Sequence, residues 1–254
     1  MQININADLG ESYGCFTIGN DEALLGVVAS ANVACGLHGG DPQVMQDTVL
    51  NAKRKGVSIG AHPGFADLHG FGRRAMSLAE DDLVALLVYQ LGAVAAMGRA
   101  HDWPISHVKP HGALNNQACA DPALAAIVAH TVARFDPALI LLAPAGSELA
   151  AAGQLAGLSV RFEIFADRTY EADGQLTPRS VEGSVLHDVG EVCDHVMRMM
   201  DRGGIITRQG LLIETRFDSI CVHGDGRTAV GIANGIRSAL LAAGHQIRPL
   251  NEMS

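Results

Sequence analysis

Apolar and polar residues alternate at period two from the start of the chain: Ile3 and Ile5 interleave with Asn4 and Asn6 and lead into Asp8-Leu9-Gly10-Glu11-Ser12. That spacing predicts a first strand ending in two carboxylates around a glycine. A helix is expected from about Asp21, where Asp21 and Glu22 suit the positive amino end. Residues 27–35 read as a second strand. The loop at 36–42 combines glycines, which permit positive φ, with the helix-starting pair Asp41-Pro42, so 42–55 is predicted helical. Residues 57–60 form a third strand running out at His62, and the glycine-rich stretch 63–74 is longer than a plain connection, as functional loops are. Leu83, Leu86, Leu87, Leu91 and Val94 recur at helical spacing within 79–100, 105–109 makes strand four, Asp121-Pro122 opens another helix, and 138–142 is strand five. Val160, Phe162 and Ile164 alternate through a sixth strand at 158–165. The polar run 167–187 is too long for a bare connection and is expected to fold over the mouth of the molecule before a helix starts near Asp188. Residues 219–222 give strand seven and 227–243 the closing helix.

The strand ends share a cadence. His38, His62, His111 and His223 all follow predicted strands, as do Asp8, Glu11, Asp41, Lys109, Asp167 and Asp225. Strands alternating with helices, each emptying polar side chains at its carboxyl end, predict an α/β fold: a seven-stranded β/α barrel, one strand short of eight, with its site on the carboxyl face. The chain, 1–254, is read as a single barrel domain carrying the 167–187 insertion.

Composition narrows the function. With 254 residues, 48% of them hydrophobic, the chain can bury a full barrel core. A net charge of −9, from 27 acidic and 18 basic residues, speaks against a nucleic-acid surface or an anionic membrane face. Small molecules and proteins, further copies of this chain included, are left as partners. Five cysteines with no C-x-x-C pair give neither a disulfide framework nor a zinc-finger spacing, and a reducing cytoplasm fits. Strand-like residues from Gln2 onward leave no room for a signal peptide. The longest apolar tract, 83–97, is broken by Gln90, is shorter than the roughly 18 residues of a spanning helix, and reads as a packed helix.

There is no H-E-x-x-H, G-x-x-x-x-G-K-[ST] or G-x-S-x-G run, so the signal lies in joint placement. Any one of these histidines, taken alone, fits a satisfied strand-end group as well as a working one. Together with carboxylates and Lys109 they suit proton transfer and oxyanion stabilisation, the needs of hydrolysis or amide chemistry. Asp8 with His38 and His62 or His111 also has the donor types of a divalent-metal site, with a metal-free hydrogen-bonded network as the alternative. Arg73-Arg74, after Gly70-Phe71-Gly72, either clamps a carboxylate or phosphate or is a solvated basic pair. Arg168, Tyr170 and 177–180 belong to the insertion and either close over a ligand or form a surface excursion. The 224–226 loop could seat an anion at the last helix.

The runs Asn6-Ala7-Asp8-Leu9-Gly10-Glu11-Ser12, Cys35-Gly36-Leu37-His38-Gly39-Gly40-Asp41, Gly60-Ala61-His62-Pro63-Gly64-Phe65, Val108-Lys109-Pro110-His111-Gly112, Phe165-Ala166-Asp167-Arg168 and Val222-His223-Gly224-Asp225 closely resemble the LamB/YcsF family, the A component of bacterial 5-oxoprolinase. The resemblance runs in order through the chain. It implies ATP-dependent opening of the lactam of 5-oxo-L-proline to L-glutamate, with ATP as co-substrate and subunits B and C as partners. It also implies a barrel similar to those of the glycoside hydrolase and deacetylase superfamily. On that resemblance Asp8, His38, His62, Lys109, His111 and His223 fall on the matching motifs as catalytic candidates. Asn6, Glu11, Asp41, Arg73, Arg74, Asp167, Arg168 and Asp225 are the substrate-binding candidates. The alternatives are a metal-dependent sugar deacetylase-like hydrolase and a non-catalytic scaffold protein.

Overall fold

The computed structural model describes every residue except Asp225, Arg227 and Ser254; the predicted site residue Asp225 therefore lies outside the described residues. In chain order the elements are β1 (Gln2–Leu9), α1 (Asp21–Leu25), β2 (Ser30–Ala34), α2 (Pro42–Lys55), β3 (Ser58–His62), α3 (Glu80–Ala100), β4 (Ile105–Val108), α4 (Gly112–Ala120), α5 (Pro122–Phe135), β5 (Ile140–Pro144), α6 (Glu148–Leu155), β6 (Ser159–Phe165), α7 (Val189–Arg202), β7 (Gly204–Ile206), β8 (Leu212–Glu214), β9 (Ser219–Val222), α8 (Ala229–Ala242) and β10 (Gln246–Ile247). Seven parallel strands, β1 to β6 and then β9, close into a barrel when β9 returns to β1 with Asn4 opposite Ser219 and Ala7 opposite Val222. The predicted β/α barrel is thus present.

The sequence explains where the helices begin. Asp41 caps α2 by accepting from the amides of Gln43 and Val44 at 2.9 Å each, and Asp121 does the same for α5, each with proline in the first turn. Strand two starts three residues later than its apolar run. Val27 and Val28 donate instead to Leu24 O, continuing a helical turn out of α1. Helices α4 and α6, the β7–β8 hairpin, and β10, which pairs with Gln2 and Ile3, were not expected from the pattern.

By length and composition α3 alone among the described residues could cross a membrane. It is longer than its apolar tract because Glu80-Asp81-Asp82 and the turn around Gly98 extend it to 21 residues. In the fold Leu83, Leu87, Leu91 and Val94 are buried in the barrel's apolar core, and Val88 and Tyr89 face outward.

Alternation along β1 decides what fills the barrel. Ile3, Ile5, Ala7 and Leu9 enter the apolar core, whereas Asn4, Asn6 and Asp8 bond to side chains of other strands across the axis. Near the amino end Asn4 joins Ser30 and Ser219, and Ser30 joins Ser58 at 2.7 Å. The axis is therefore polar but bonded, and each step toward the carboxyl end adds charge.

A polar cavity at the carboxyl mouth

Lys109, the residue after β4, lies on the axis and is 2% exposed. Its Nζ is 3.1 Å from Asp8 Oδ1, 3.1 Å from Glu163 Oε2, 3.2 Å from Asn6 Oδ1 and 2.9 Å from Cys221 Sγ. Burial alone would raise Asp8, but His62 and Lys109 hold it well below the usual carboxylate range. Burial raises Glu163, with Lys109 opposing. Burial works against the ammonium, yet Asp8, Cys221 and Glu163 keep Lys109 well above its ordinary value. The ammonium is thus held charged in the interior.

Above it sit three histidines, and the protons of two can be placed. His62 Nδ1 lies 2.6 Å from the carbonyl of Lys109 and His111 Nε2 lies 2.8 Å from the carbonyl of Phe71. Carbonyls only accept, so these two nitrogens carry hydrogens. In the neutral rings the lone pairs are then at His62 Nε2 and His111 Nδ1, which face each other across 3.0 Å. Two lone pairs at that distance repel unless a proton or a cation lies between them. His38 stacks on His111 at 3.8 Å, is fully buried, and has no hydrogen-bond partner at either ring nitrogen among the described residues. Its Nε2 is 3.5 Å from Glu11 Oε1, which is 3.6 Å from His111 Nδ1. Burial and the neighbouring rings push His38 well below the ordinary histidine value, and burial followed by His62 takes His111 down to about 3.

Glu11, His38, His62 and His111 each offer a ligand atom, all within 4.8 Å of one another. Facing lone pairs and an unpartnered buried imidazole are what a divalent cation satisfies, so this donor set fits one. The carboxylate in the cluster is Glu11; Asp8 sits beside it, its Oδ2 3.3 Å from His62 Nε2. Close approach depends on glycine: a Cβ at Gly72, where φ is +62°, would meet His111 Cδ2 at 2.7 Å and His38 Cβ at 2.8 Å.

The cavity over this floor has a volume of about 460 Å³. Asp8, Glu11, His62, Lys109, His111 and His223 line it together with Arg73, Arg168 and Arg179, and His38 is buried in contact with His111. Of the strand-end candidates Asp8, His62, His111 and His223 open into one cavity, with His38 in contact through His111. Asp167 binds His223 Nδ1 at 2.7 Å; burial would raise this carboxyl, but its contact with His223 holds it below its ordinary value. Arg168 is buried and ties the insertion together, donating to Thr177 O at 2.6 Å and to Ser184 O at 3.2 Å. Leu176, Thr177, Pro178 and Arg179 of the insertion belong to the cavity lining.

Three candidates lie elsewhere. Asp41 is spent on the α2 cap and on the Gly14 amide. Arg74 pairs with Asp67 and braces the long loop. Asn6 lies below the cavity, bonding Ser219 and Asn32. Sequence reading missed Glu163, Cys221 and His107, which bonds Asn32 at 2.9 Å and is taken down to about 3 by burial and Lys109. Glu163 left a trace, being the carboxylate set between the alternating Phe162 and Ile164.

Fold and cavity together define a β/α-barrel protein with a buried histidine, carboxylate and lysine site at the carboxyl mouth of its strands. The LamB/YcsF family model matches residues 3–254, and the chain belongs to that family. It is 53% identical to the A component of 5-oxoprolinase from Azoarcus sp. (strain BH72), over 100% of this chain and 99% of that relative. The crystal structure of the lactam utilization protein from Thermus thermophilus superposes with a TM-score of 0.92 at 42% identity, covering 98% of this chain and 100% of that one. The catalytic domain of a peptidoglycan N-acetylglucosamine deacetylase from Eubacterium rectale shares the fold, with a TM-score of 0.52 at 11% identity over 100% of this chain and 90% of that one.

Proposed function

We propose that this chain is the A component of an ATP-dependent 5-oxoprolinase, and that the mouth cavity is where the lactam of 5-oxo-L-proline is opened to L-glutamate. The observation that carries the reading is the meeting, in one cavity, of a buried charged Lys109, a histidine and carboxylate cluster, and the Asp167–His223 pair. The names borne by its relatives support it.

Hydrolysis needs water added to the lactam carbonyl and a proton delivered to the leaving nitrogen as the ring C–N bond breaks. Asp167 holds the Nδ1 proton of His223, leaving Nε2 to take a proton from water and return it to that nitrogen. Lys109 supplies positive charge for the developing oxyanion. A divalent cation held by Glu11, His38, His62 and His111 supplies Lewis-acid polarisation when bound. The insertion 167–187 shields the site, and the whole chain, 1–254, acts as one domain.

ATP is read as the co-substrate of a complex with subunits B and C. The chain has no Walker lysine run, so the nucleotide site is assigned to a partner or to a surface shared with one. The cysteine pattern suits a complex in the cytoplasm. The test is to incubate the chain with 5-oxo-L-proline and ATP, alone and with both partners. Glutamate should form only when all are present. Steady glutamate from the chain alone contradicts the need for partners, and acetate release from an N-acetylated sugar with added metal favours the deacetylase reading.

A further inference from the structure

One contact at the mouth is left over by the hydrolytic roles: Arg179 Nη2 lies 3.3 Å from His223 Nε2. Its sense follows from its neighbours. An ionised Asp167 only accepts, so His223 Nδ1 donates to it, and the ring's other nitrogen, Nε2, faces the guanidinium. A guanidinium only donates, so Arg179 caps the lone pair of that nitrogen. A capped lone pair takes no proton.

Arg179 also has company. Arg73 and Arg168 line the same cavity, and the buried Arg168 is brought down to about 10 by burial and then by the charge of Arg179. In the floor Asp8 and Glu163 already pair with Lys109. Guanidiniums converging on a cavity are suited to a planar anion, which they bind in a fork.

We propose that Arg179 determines specificity by binding the substrate's carboxylate alongside Arg73 and Arg168, and that in turning to it Arg179 uncovers His223 Nε2 for proton transfer. The proposal rests on the reading of the cavity as a site for a cyclic amide acid. It makes the carboxylate a key as well as a handle: a ring without one leaves the base covered.

Calorimetry on the purified chain reads this without turnover. The probes are 5-oxo-L-proline and 2-pyrrolidinone, the same ring without its carboxylate. Wild type is expected to bind the acid about 10- to 100-fold tighter, the factor that charge-assisted hydrogen bonds supply. Arg179→Ala should lose most of that difference, Arg73 and Arg168 keeping the remainder, and Arg179→Lys should regain part of it. Carbethoxylation of His223, mapped by mass spectrometry, should be slow in wild type and faster in Arg179→Ala, with buried His107 unmodified in both as a folding control. Equal affinity of wild type for the two rings, or discrimination undiminished in Arg179→Ala, overturns the carboxylate assignment; unchanged reactivity of His223 overturns the capping. If the chain discriminates as expected but its complex releases no glutamate, the anion subsite stands and the hydrolytic reading falls.

Discussion

Lys109→Met removes a charge that the interior is built around, and its cost can be worked from the contacts. Placed at a strand end, Lys109 reads from sequence as an ammonium whose loss harms turnover far more than stability. The structure changes that balance. With the side chain 2% exposed and 3.1 Å from both Asp8 and Glu163, the substitution strands two buried carboxylates. Breaking a buried pair by removing one partner costs about 3–5 kcal/mol. For a chain of this size that is a fall in Tm of roughly 6–20 °C. Turnover should also fall, by about 2.7–4 kcal/mol of transition-state stabilisation if the ammonium meets the oxyanion. Urea unfolding of Lys109→Met, Glu163→Gln and the double variant separates the effects, because neutralising Glu163 should return part of the stability but none of the rate. A Lys109→Met chain within about 1 kcal/mol of wild type, the range of an exposed pair, would refute the buried counter-ion.

Three further outcomes are expected. Zn²⁺, Mn²⁺ or Co²⁺ should raise the Tm of the chain, by the equivalent of about 2.7 kcal/mol at a hundredfold excess over Kd, and Glu11→Gln should weaken the response; a Tm indifferent to every divalent ion contradicts the donor set. Gly72→Ala should cost at least about 1–2 kcal/mol, since φ is +62° there and the new methyl displaces His111 and His38; wild-type Tm and activity would show the glycine to be dispensable. Asp167 is held below its ordinary value, so its contribution to stability is complete above about pH 4 and fades as pH falls through the folded-state value. The stability gap between wild type and Asp167→Asn should therefore narrow in acid. A gap constant from pH 7 to pH 3 counts against the Asp167–His223 pair.

How far the sequence could be read depended on whether the deciding forces were local. Asp41-Pro42 and Asp121-Pro122 start helices because cap and helix are neighbours in the chain, and both helices begin there. Strand-end histidines were legible since each strand of a parallel barrel delivers its last residues to the same face. Helix α4 was not, because its run Gly112–Ala120 carries Asn115, Asn116 and Gln117 in place of an apolar stripe. The polar axis was missed for a similar reason: Glu163, His107 and Cys221 sit inside strands, where a lone polar residue reads as facing solvent. They become intelligible only once Lys109, from another strand, stands opposite. Arg73 and Arg74 are indistinguishable in sequence. The turn through Phe71 and Gly72, both at positive φ, sends the first to the cavity and the second to Asp67.

The central claim is that the lactam is opened in this cavity, and it is tested most directly by glutamate release from the reconstituted complex carrying Asp8→Asn or His223→Gln in this chain. Both changes keep close to the original side-chain size. If the cavity does the chemistry, each should lower turnover by about 10²- to 10⁴-fold, the usual contribution of a positioned acid or base, while assembly with the partners and ATP dependence are retained. Wild-type turnover by both complexes would place the chemistry outside this chain and leave it a scaffold.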